Sequence, residues 1–262
     1  MSMLTSTNPA AYPGCPITVE QALARGRVLT PPRWGLPDIA YTFVGAFALS
    51  IVGVIIAIVA QETLGLSLAW VLLIGLVTPW LALAGWPLLV TTLRGNGPRI
   101  DLGLRLSWSD VGWGVLGGFV ALMASGLVAV ALTAIVGDFD SAAGEVAVDI
   151  AESGPLLALI IFALLVAVGA PIVEEIAFRG MAYNALAKKG LHPAWVIAIT
   201  AIIFAAFHLE PTRLPILLVS GTVFGVLRWF TKGLGAPIVA HAVNNAPGAV
   251  FLLFADALPT LP

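Results

Sequence analysis

The residues of this sequence that could do chemistry lie in its last third, inside segments that are otherwise apolar. They include two adjacent glutamates, an arginine, two histidines and two asparagines, which lie between residues 174 and 245. An ionisable side chain at the centre of a membrane-spanning helix costs about 2.5–3.5 kcal/mol even on a lenient insertion scale. We therefore interpret this set as functional: Glu174, Glu175, Arg179, His208, His241, Asn244 and Asn245.

Spacing assigns different tasks to the two glutamates. Glu175 and Arg179 are four residues apart, so on a helix they share a face and can form an ion pair. Glu174 lies about 100° around the same helix, which leaves its carboxylate free to face a cavity. A carboxylate placed in this way could act as a general base.

The other polar residues form two further pairs on shared helix faces, Phe204 with His208 and His241 with Asn245. A rise of 1.5 Å per residue from the predicted helix ends puts Glu174 and His208 at similar depths, roughly 21–22 Å. Asn245 and His241 come out at about 12 Å and 6 Å. We therefore expect Glu174, His208 and Asn245 to meet, with His241 less well placed. A base, a second proton carrier and an amide donor suit water-driven acyl transfer.

Composition shows which solvent these segments must face. The 262 residues are 60% hydrophobic and only 10% charged, with a mean hydropathy of +1.02, whereas soluble domains have about 25% charged residues. Lipid must therefore surround most of the chain. The net charge of −2 argues against a nucleic-acid partner. The single cysteine, Cys15, excludes an internal disulfide and a cysteine-rich metal site.

The elements that position these residues are apolar segments long enough to cross a membrane. They predict an all-α fold, a polytopic integral membrane bundle of about seven transmembrane helices around a polar cavity. We divide the chain into an N-terminal tail (1–37), a scaffold half of three helices and an acidic loop (38–154), and a catalytic half of about four helices (155–262). The fourth helix should exceed 30 residues and bend near Gly169-Ala170-Pro171.

Basic residues predict the orientation, since they are retained on the cytoplasmic side. With the N-terminus cytoplasmic, only Arg213 falls outside. Ten Lys and Arg residues fall inside: Arg25, Arg27, Arg33, Arg94, Arg99, Arg105, Lys188, Lys189, Arg228 and Lys232. The acidic segment 138–152 and the C-terminus then lie outside. We expect a bacterial plasma membrane and a site reached from the cytoplasmic side, the alternative being access through the turn at 210–213.

Three short motifs occur within this set, each inside or at the edge of an apolar segment. They are Glu-Glu-x-x-x-Arg at 174–179, Phe-x-x-x-His at 204–208 and His-x-x-x-Asn at 241–245. In this order they resemble the type II CAAX prenyl endopeptidase family, also called CPBP or ABI. The resemblance covers about residues 155–255.

This resemblance implies an intramembrane endopeptidase of the glutamate type, a hydrolase without a cofactor. Glu174, helped by His208, would activate a water, and His241 and Asn245 would donate hydrogen bonds to the oxyanion. The remaining motif residues would support the site: Glu175, Arg179 and Phe204. The expected partners are membrane lipid and a membrane-anchored or lipidated peptide substrate.

Two other interpretations remain open. A zinc-dependent membrane metallopeptidase could use Glu174, His208 and His241 as ligands, although the sequence has no His-Glu-x-x-His motif. A non-enzymatic scaffold, transport or immunity protein could line a permeation path with the same polar groups. Against transport, the two halves show no inverted repeat.

Overall fold

A computed structural model describes residues 16–139 and 141–254, and every regular element among them is a helix. Along the chain these helices are α1 Pro16–Ala24, α2 Leu36–Leu64, α3 Leu68–Arg94, α4 Pro98–Asp101, α5 Trp108–Val136, α6 Ala142–Ser153, α7 Leu156–Ala187, α8 Pro193–Phe207, α9 Leu214–Thr231 and α10 Gly235–Phe254. The described residues do not include Cys15 or Asp140. They also do not include the C-terminus, for which an external position was predicted.

Seven of these helices, α2, α3, α5 and α7 to α10, form the bundle that the sequence predicts. Five of them are long and apolar enough to cross a membrane: α2, α3, α5, α7 and α9. The α8 helix has only 15 residues, and α10 has 20 but carries three polar residues in its middle. The all-helical membrane fold is therefore confirmed.

The outer surface of the bundle is apolar, as a lipid-facing surface must be. On α2, Val44 and Ile51 are exposed, and on α5 the large side chains Leu127, Val130 and Ile135 are each at least 70% exposed. Such a surface would not be stable in water. The protein is an integral membrane protein.

Close packing of α5 against α10 joins the N-terminal part of the bundle to its C-terminal part. A Cβ atom placed on Gly114 would lie 2.5 Å from the Cβ of Val239, and one on Gly118 would lie 2.6 Å from the Cβ of Val243. Glycine at these two positions, spaced as in a small-xxx-small pair, lets the helices approach closely. The position of α10, which carries His241, therefore depends on α5.

Two π-helical segments interrupt α7, at Leu165–Gly169 and Ile176–Ala182. The first ends just before Pro171, which has no backbone N–H to donate, at the place where a bend was predicted. The helix is 32 residues long, as expected. Since a π-helical turn contains one extra residue, it changes which side chains face the interior, and such turns are frequent at functional sites.

A polar network closes the end of the bundle at which α3 and α7 finish. The buried Asp101 carboxylate accepts hydrogen bonds from Trp34 Nε1 at 2.8 Å and from the Asn96 backbone N–H at 2.9 Å. The Asn184 amide of α7 donates to the Asp101 carbonyl at 3.1 Å. Burial raises the pKa of Asp101, an effect that these donors partly offset. The network holds the loop after α3 against the end of α7.

Candidate active site

The helices α7, α8 and α10 bring the predicted polar residues together in the space between them. Glu174 lies on α7, His208 directly follows the last residue of α8, and His241 lies on α10. The Glu174 Oε2 atom is 3.9 Å from His208 Nε2 and 3.8 Å from His241 Nε2. This oxygen is buried and has no hydrogen-bond partner within the described part of the protein.

Hydrogen bonds at the other ring nitrogens fix which nitrogen of each histidine faces Glu174. His208 Nδ1 is 2.8 Å from the Phe204 carbonyl oxygen, which can only accept, so Nδ1–H is the donor. His241 Nδ1 is 3.1 Å from Glu175 Oε1 and donates to that carboxylate. In their neutral forms both rings then present the Nε2 lone pair to Glu174.

This arrangement leaves three acceptor atoms facing one another, and such a group requires a shared donor. At 3.8–3.9 Å the separations are too long for direct hydrogen bonds but leave room for a bridging one. A water molecule can donate one hydrogen to Glu174 and the other to an imidazole. The geometry is suited to polarising a water.

Glu175 forms the predicted ion pair, and both partners are completely buried. Arg179 Nη1 donates to Glu175 Oε1 at 2.8 Å, and Arg179 Nη2 donates to the Gly221 carbonyl of α9 at 2.7 Å. The same Glu175 oxygen accepts from His241. Glu175 therefore links the arginine on its own helix to the histidine on α10, so that it orients the ring as well as neutralising the guanidinium.

Aromatic rings surround this ion pair. The Arg179 guanidinium lies 4.7 Å from the centroid of Phe204 and 5.5 Å from that of Phe224. Phe224 also stacks on His241, with centroids 4.7 Å apart and planes inclined by 21°. Phe204 contacts His208 through both its carbonyl and its ring.

Sequence reasoning missed Phe224 and the burial of Arg228. Arg228 was counted only among the basic residues of the cytoplasmic side, and 1% of it is exposed. Its Nε donates to the Arg179 carbonyl at 3.1 Å and its Nη2 to Asn184 Oδ1 at 2.8 Å. The four-residue spacing of Phe224 and Arg228, which puts both on one face of an apolar helix, was the available signal.

His241 contacts both carboxylates, at 3.1 Å from Glu175 and 3.8 Å from Glu174. The Asn245 Nδ2 atom donates to the Val166 carbonyl in the first π-helical segment of α7 at 3.1 Å. The depth count started α10 at the membrane surface, and it placed these residues deeper if the preceding loop dips inward. Leu234 and Ala236 are in fact fully buried, and the Leu234 N–H donates to the Gly103 carbonyl, so the helix begins inside the protein.

A cavity of about 330 Å³ contains the cluster. Glu174, His208, His241, Asn244 and Asn245 all line it. Its other lining residues include the loop residues Ser141, Glu210 and Arg213.

These loop residues lie at the end of the bundle opposite Lys188, since α7 and α8 run between the two ends. The cavity therefore extends toward the acidic segment and the turn at 210–213. Access from the cytoplasmic side stays a prediction, since it depends on the orientation of the chain in the membrane. The alternative route through the turn agrees with the structure.

An apolar cleft of about 540 Å³ adjoins this cavity, between α2, α3, α6 and α7. Leu76, Ala143 and Val166 line both spaces. Apart from Ser50, the residues that line the cleft are apolar. The polar cavity thus shares part of its wall with a space that suits a hydrocarbon chain.

The donor set was also compared with the needs of a metal. Within residues 16–139 and 141–254, no group of three or more His, Cys, Asp or Glu side chains is arranged to hold a metal ion. Two ligands of a tetrahedral zinc lie about 3.4 Å apart, whereas the Glu174 oxygen is 3.8–3.9 Å from the imidazole nitrogens. The cofactor-free site stays a prediction, and the zinc site stays its alternative.

The fold and the site together define a class: a polytopic helical membrane protein in which carboxylate and imidazole groups meet in a cavity between the helices. Residues 156–247 match the family model described as Type II CAAX prenyl endopeptidase Rce1-like. All three motifs lie within the matched residues. The resemblance predicted from the motifs is thereby confirmed for this part of the chain.

Curated relatives agree with this match. The chain is 28% identical over 155 residues to YdiL of Bacillus subtilis (strain 168), whose name describes it as a membrane peptidase, with 59% of each chain covered. It is 30% identical over 148 residues to the "Membrane-embedded CAAX protease MroQ" of Staphylococcus aureus (strain USA300), covering 54% of this chain and 58% of the relative. The chain thus spans about three fifths of the length of these relatives. No solved structure matches it.

Proposed function

We propose that this protein is an intramembrane endopeptidase that hydrolyses a peptide bond of a membrane-anchored or lipidated substrate with a water activated by Glu174. The observation that carries the proposal is the buried Glu174 Oε2 atom, which faces two imidazole Nε2 atoms and has no partner among the described residues. The family match and the names of the relatives support a peptidase.

In the proposed reaction, Glu174 accepts a proton from the bound water while the water oxygen attacks the peptide carbonyl carbon. The tetrahedral intermediate collapses when the amine nitrogen of the leaving group receives that proton, which regenerates the carboxylate. His208 can share the proton, because its Nε2 atom faces the same oxygen. The residues therefore balance the reaction without another reactant.

His241 has the setting of a group that can share the proton taken from the water. Its Nδ1–H donates to the Glu175 carboxylate, which keeps the ring oriented. While Nε2 holds the shared proton, 3.8 Å from Glu174, that N–H can donate to the developing oxyanion before the proton passes to the leaving amine. Asn245 donates one amide hydrogen to the Val166 carbonyl, and its second amide hydrogen can donate to the oxyanion.

The apolar cleft supports the choice of substrate. It joins the polar cavity at Leu76, Ala143 and Val166, so a chain of apolar side chains, acyl carbons or prenyl carbons could lie beside the scissile bond. A substrate anchored in the membrane would make use of both spaces.

The decisive experiment compares Glu174→Gln with Glu145→Gln in proteoliposomes that contain a lipid-anchored reporter peptide. Glutamine keeps the size of the side chain but cannot take the proton, so we expect cleavage to fall at least about 100-fold. Glu145 is exposed on α6, and its variant should cleave like the wild type. Full activity of Glu174→Gln would refute the proposal. Stoichiometric zinc, lost together with activity on chelation, would favour the metallopeptidase.

A further inference from the structure

A second polar cavity, of about 440 Å³, lies at the C-terminal end of α7, away from the Glu174 cavity. It is formed where α2 begins and where α3 and α7 end. Four basic residues and one acidic residue line it: Arg33, Arg94, Lys188, Lys189 and Asp38. The proposed reaction uses none of them.

Asp38, the one carboxylate in the lining of this basic pocket, is already paired within the protein. Asp38 forms an ion pair with Arg94 at 2.5 Å, and it also accepts hydrogen bonds from Trp86 Nε1 and from the Gly35 backbone N–H. Among the described residues, no carboxylate lies within ion-pair distance of the other three basic side chains. The pocket lining therefore carries four positive charges and one negative charge, a formal excess of three.

Lys188 is held in place without an acidic partner in contact with it. Its Nζ atom donates to the carbonyl oxygens of Pro32, at 3.0 Å, and Trp34, and lies 4.2 Å from the centroid of the Trp34 ring. Burial lowers the pKa of Lys188. An anion bound in the pocket would favour the charged form and offset that effect.

The position of the pocket indicates where its ligand comes from. It lies at the ends of three membrane-spanning helices, with the rings of Trp34 and Tyr41 in its wall. Trp and Tyr are enriched at the level of the lipid headgroups. From there the exposed apolar side chains of α2, such as Val44 and Ile51, offer a path for acyl chains.

We propose that this pocket binds a phosphate group, supplied by the headgroup of an anionic phospholipid. Phosphate oxygens accept several charge-assisted hydrogen bonds, for which guanidinium and ammonium groups in one pocket are suited. Basic pockets between membrane helices bind anionic headgroups in this way. The inference does not depend on the proposed peptidase activity.

The test uses the full chain in a neutral detergent, titrated with phosphatidylglycerol, phosphatidylcholine or inorganic phosphate. Bound lipid is counted by native mass spectrometry, and the melting temperature is followed in parallel. We expect phosphatidylglycerol to bind at least about tenfold more tightly than phosphatidylcholine. Inorganic phosphate should bind more weakly than the lipid, since it lacks acyl chains.

Two matched double variants test the location. Arg33→Gln with Lys189→Gln removes two charges from exposed side chains of the pocket, whereas Arg25→Gln with Lys232→Gln removes two charges outside it. The first should weaken phosphatidylglycerol binding about tenfold or more, and the second should leave it unchanged. Equal affinities in both variants would overturn the proposal. Binding of inorganic phosphate without a preference for the anionic lipid would overturn the assignment to a headgroup.

Discussion

At the scale of single residues, Glu175 is a buried carboxylate that depends on two hydrogen-bond donors. It is completely buried, and its Oε1 atom accepts hydrogen bonds from both Arg179 and His241. Removing one member of a buried ion pair leaves the other as an uncompensated charge in a low-dielectric interior. We therefore assign to Arg179 a structural role that the catalytic cluster depends on.

We expect Arg179→Met to lower the free energy of unfolding by about 3–5 kcal/mol, because Glu175 would lose its partner. Thermal unfolding in detergent measures this effect. Arg213→Met offers a comparison, since Arg213 pairs with Glu210 in a partly exposed turn, where a pair contributes about 0–1 kcal/mol. Similar losses in the two variants would contradict the structural role.

At the scale of elements, the contact between α5 and α10 positions the histidine of the site. His241 and Asn245 lie on α10, and Gly114 and Gly118 of α5 are where the two backbones approach most closely. Helix α5 also contains Gly126, where an added Cβ would meet nothing within 4 Å. The chain therefore provides its own control for the close contact.

Gly118→Ala should destabilise the protein by about 1–3 kcal/mol, because the new methyl group would overlap Val243 and the Ala240 carbonyl. Displacement of α10 should also reduce peptide cleavage. Gly126→Ala should be neutral or slightly stabilising, since alanine favours helix more than glycine. Unfolding and cleavage are measured on both variants, and indistinguishable results would show that the contact does not position α10.

The apolar cleft leads to a prediction about substrate binding. Gly75 lines the cleft on α3, and a Cβ added there meets nothing within 4 Å. Gly75→Phe should fill part of the space and lower kcat/KM for a lipid-anchored peptide about tenfold, mainly through KM, because the phenyl ring would occupy the volume in which the substrate chain packs. Gly126→Phe, on the exposed surface of α5, is the control. An unchanged KM in Gly75→Phe would place the substrate chain elsewhere.

At the scale of the whole molecule, the two ends of the bundle have different chemistry. The end with the 188–192 loop carries the basic pocket, and the opposite end carries the acidic helix α6 and the mouth of the proposed catalytic cavity. If basic residues face the cytoplasm, as the sequence predicts, the catalytic cavity opens toward the outside.

Cysteine labelling tests this orientation in sealed, right-side-out vesicles. In a Cys15→Ser background, Glu145→Cys should react with a membrane-impermeant reagent, and Lys189→Cys should react only after the vesicles are permeabilised. Both residues are exposed, so accessibility differs only by side. The reverse pattern would invert the topology and turn the catalytic cavity toward the cytoplasm.

Much of this protein was predictable because the relevant interactions are local or compositional. Hydropathy placed the long helices, since each must present about 20 apolar residues to lipid. The Glu175–Arg179 pair followed from a spacing of four residues on one helix. The motifs identified Glu174 and His208 as neighbours, and the structure puts them 3.9 Å apart.

The arrangement between helices was decided by tertiary structure. That His241 rather than Asn245 contacts the carboxylates depends on the buried start of α10, which is held by the loop before α5. The burial of Arg228, the apolar cleft and the direction in which the cavity opens likewise depend on contacts between distant segments. Sequence periodicity reports which face of a helix is polar, but the depth and direction of that face are set by packing against other helices.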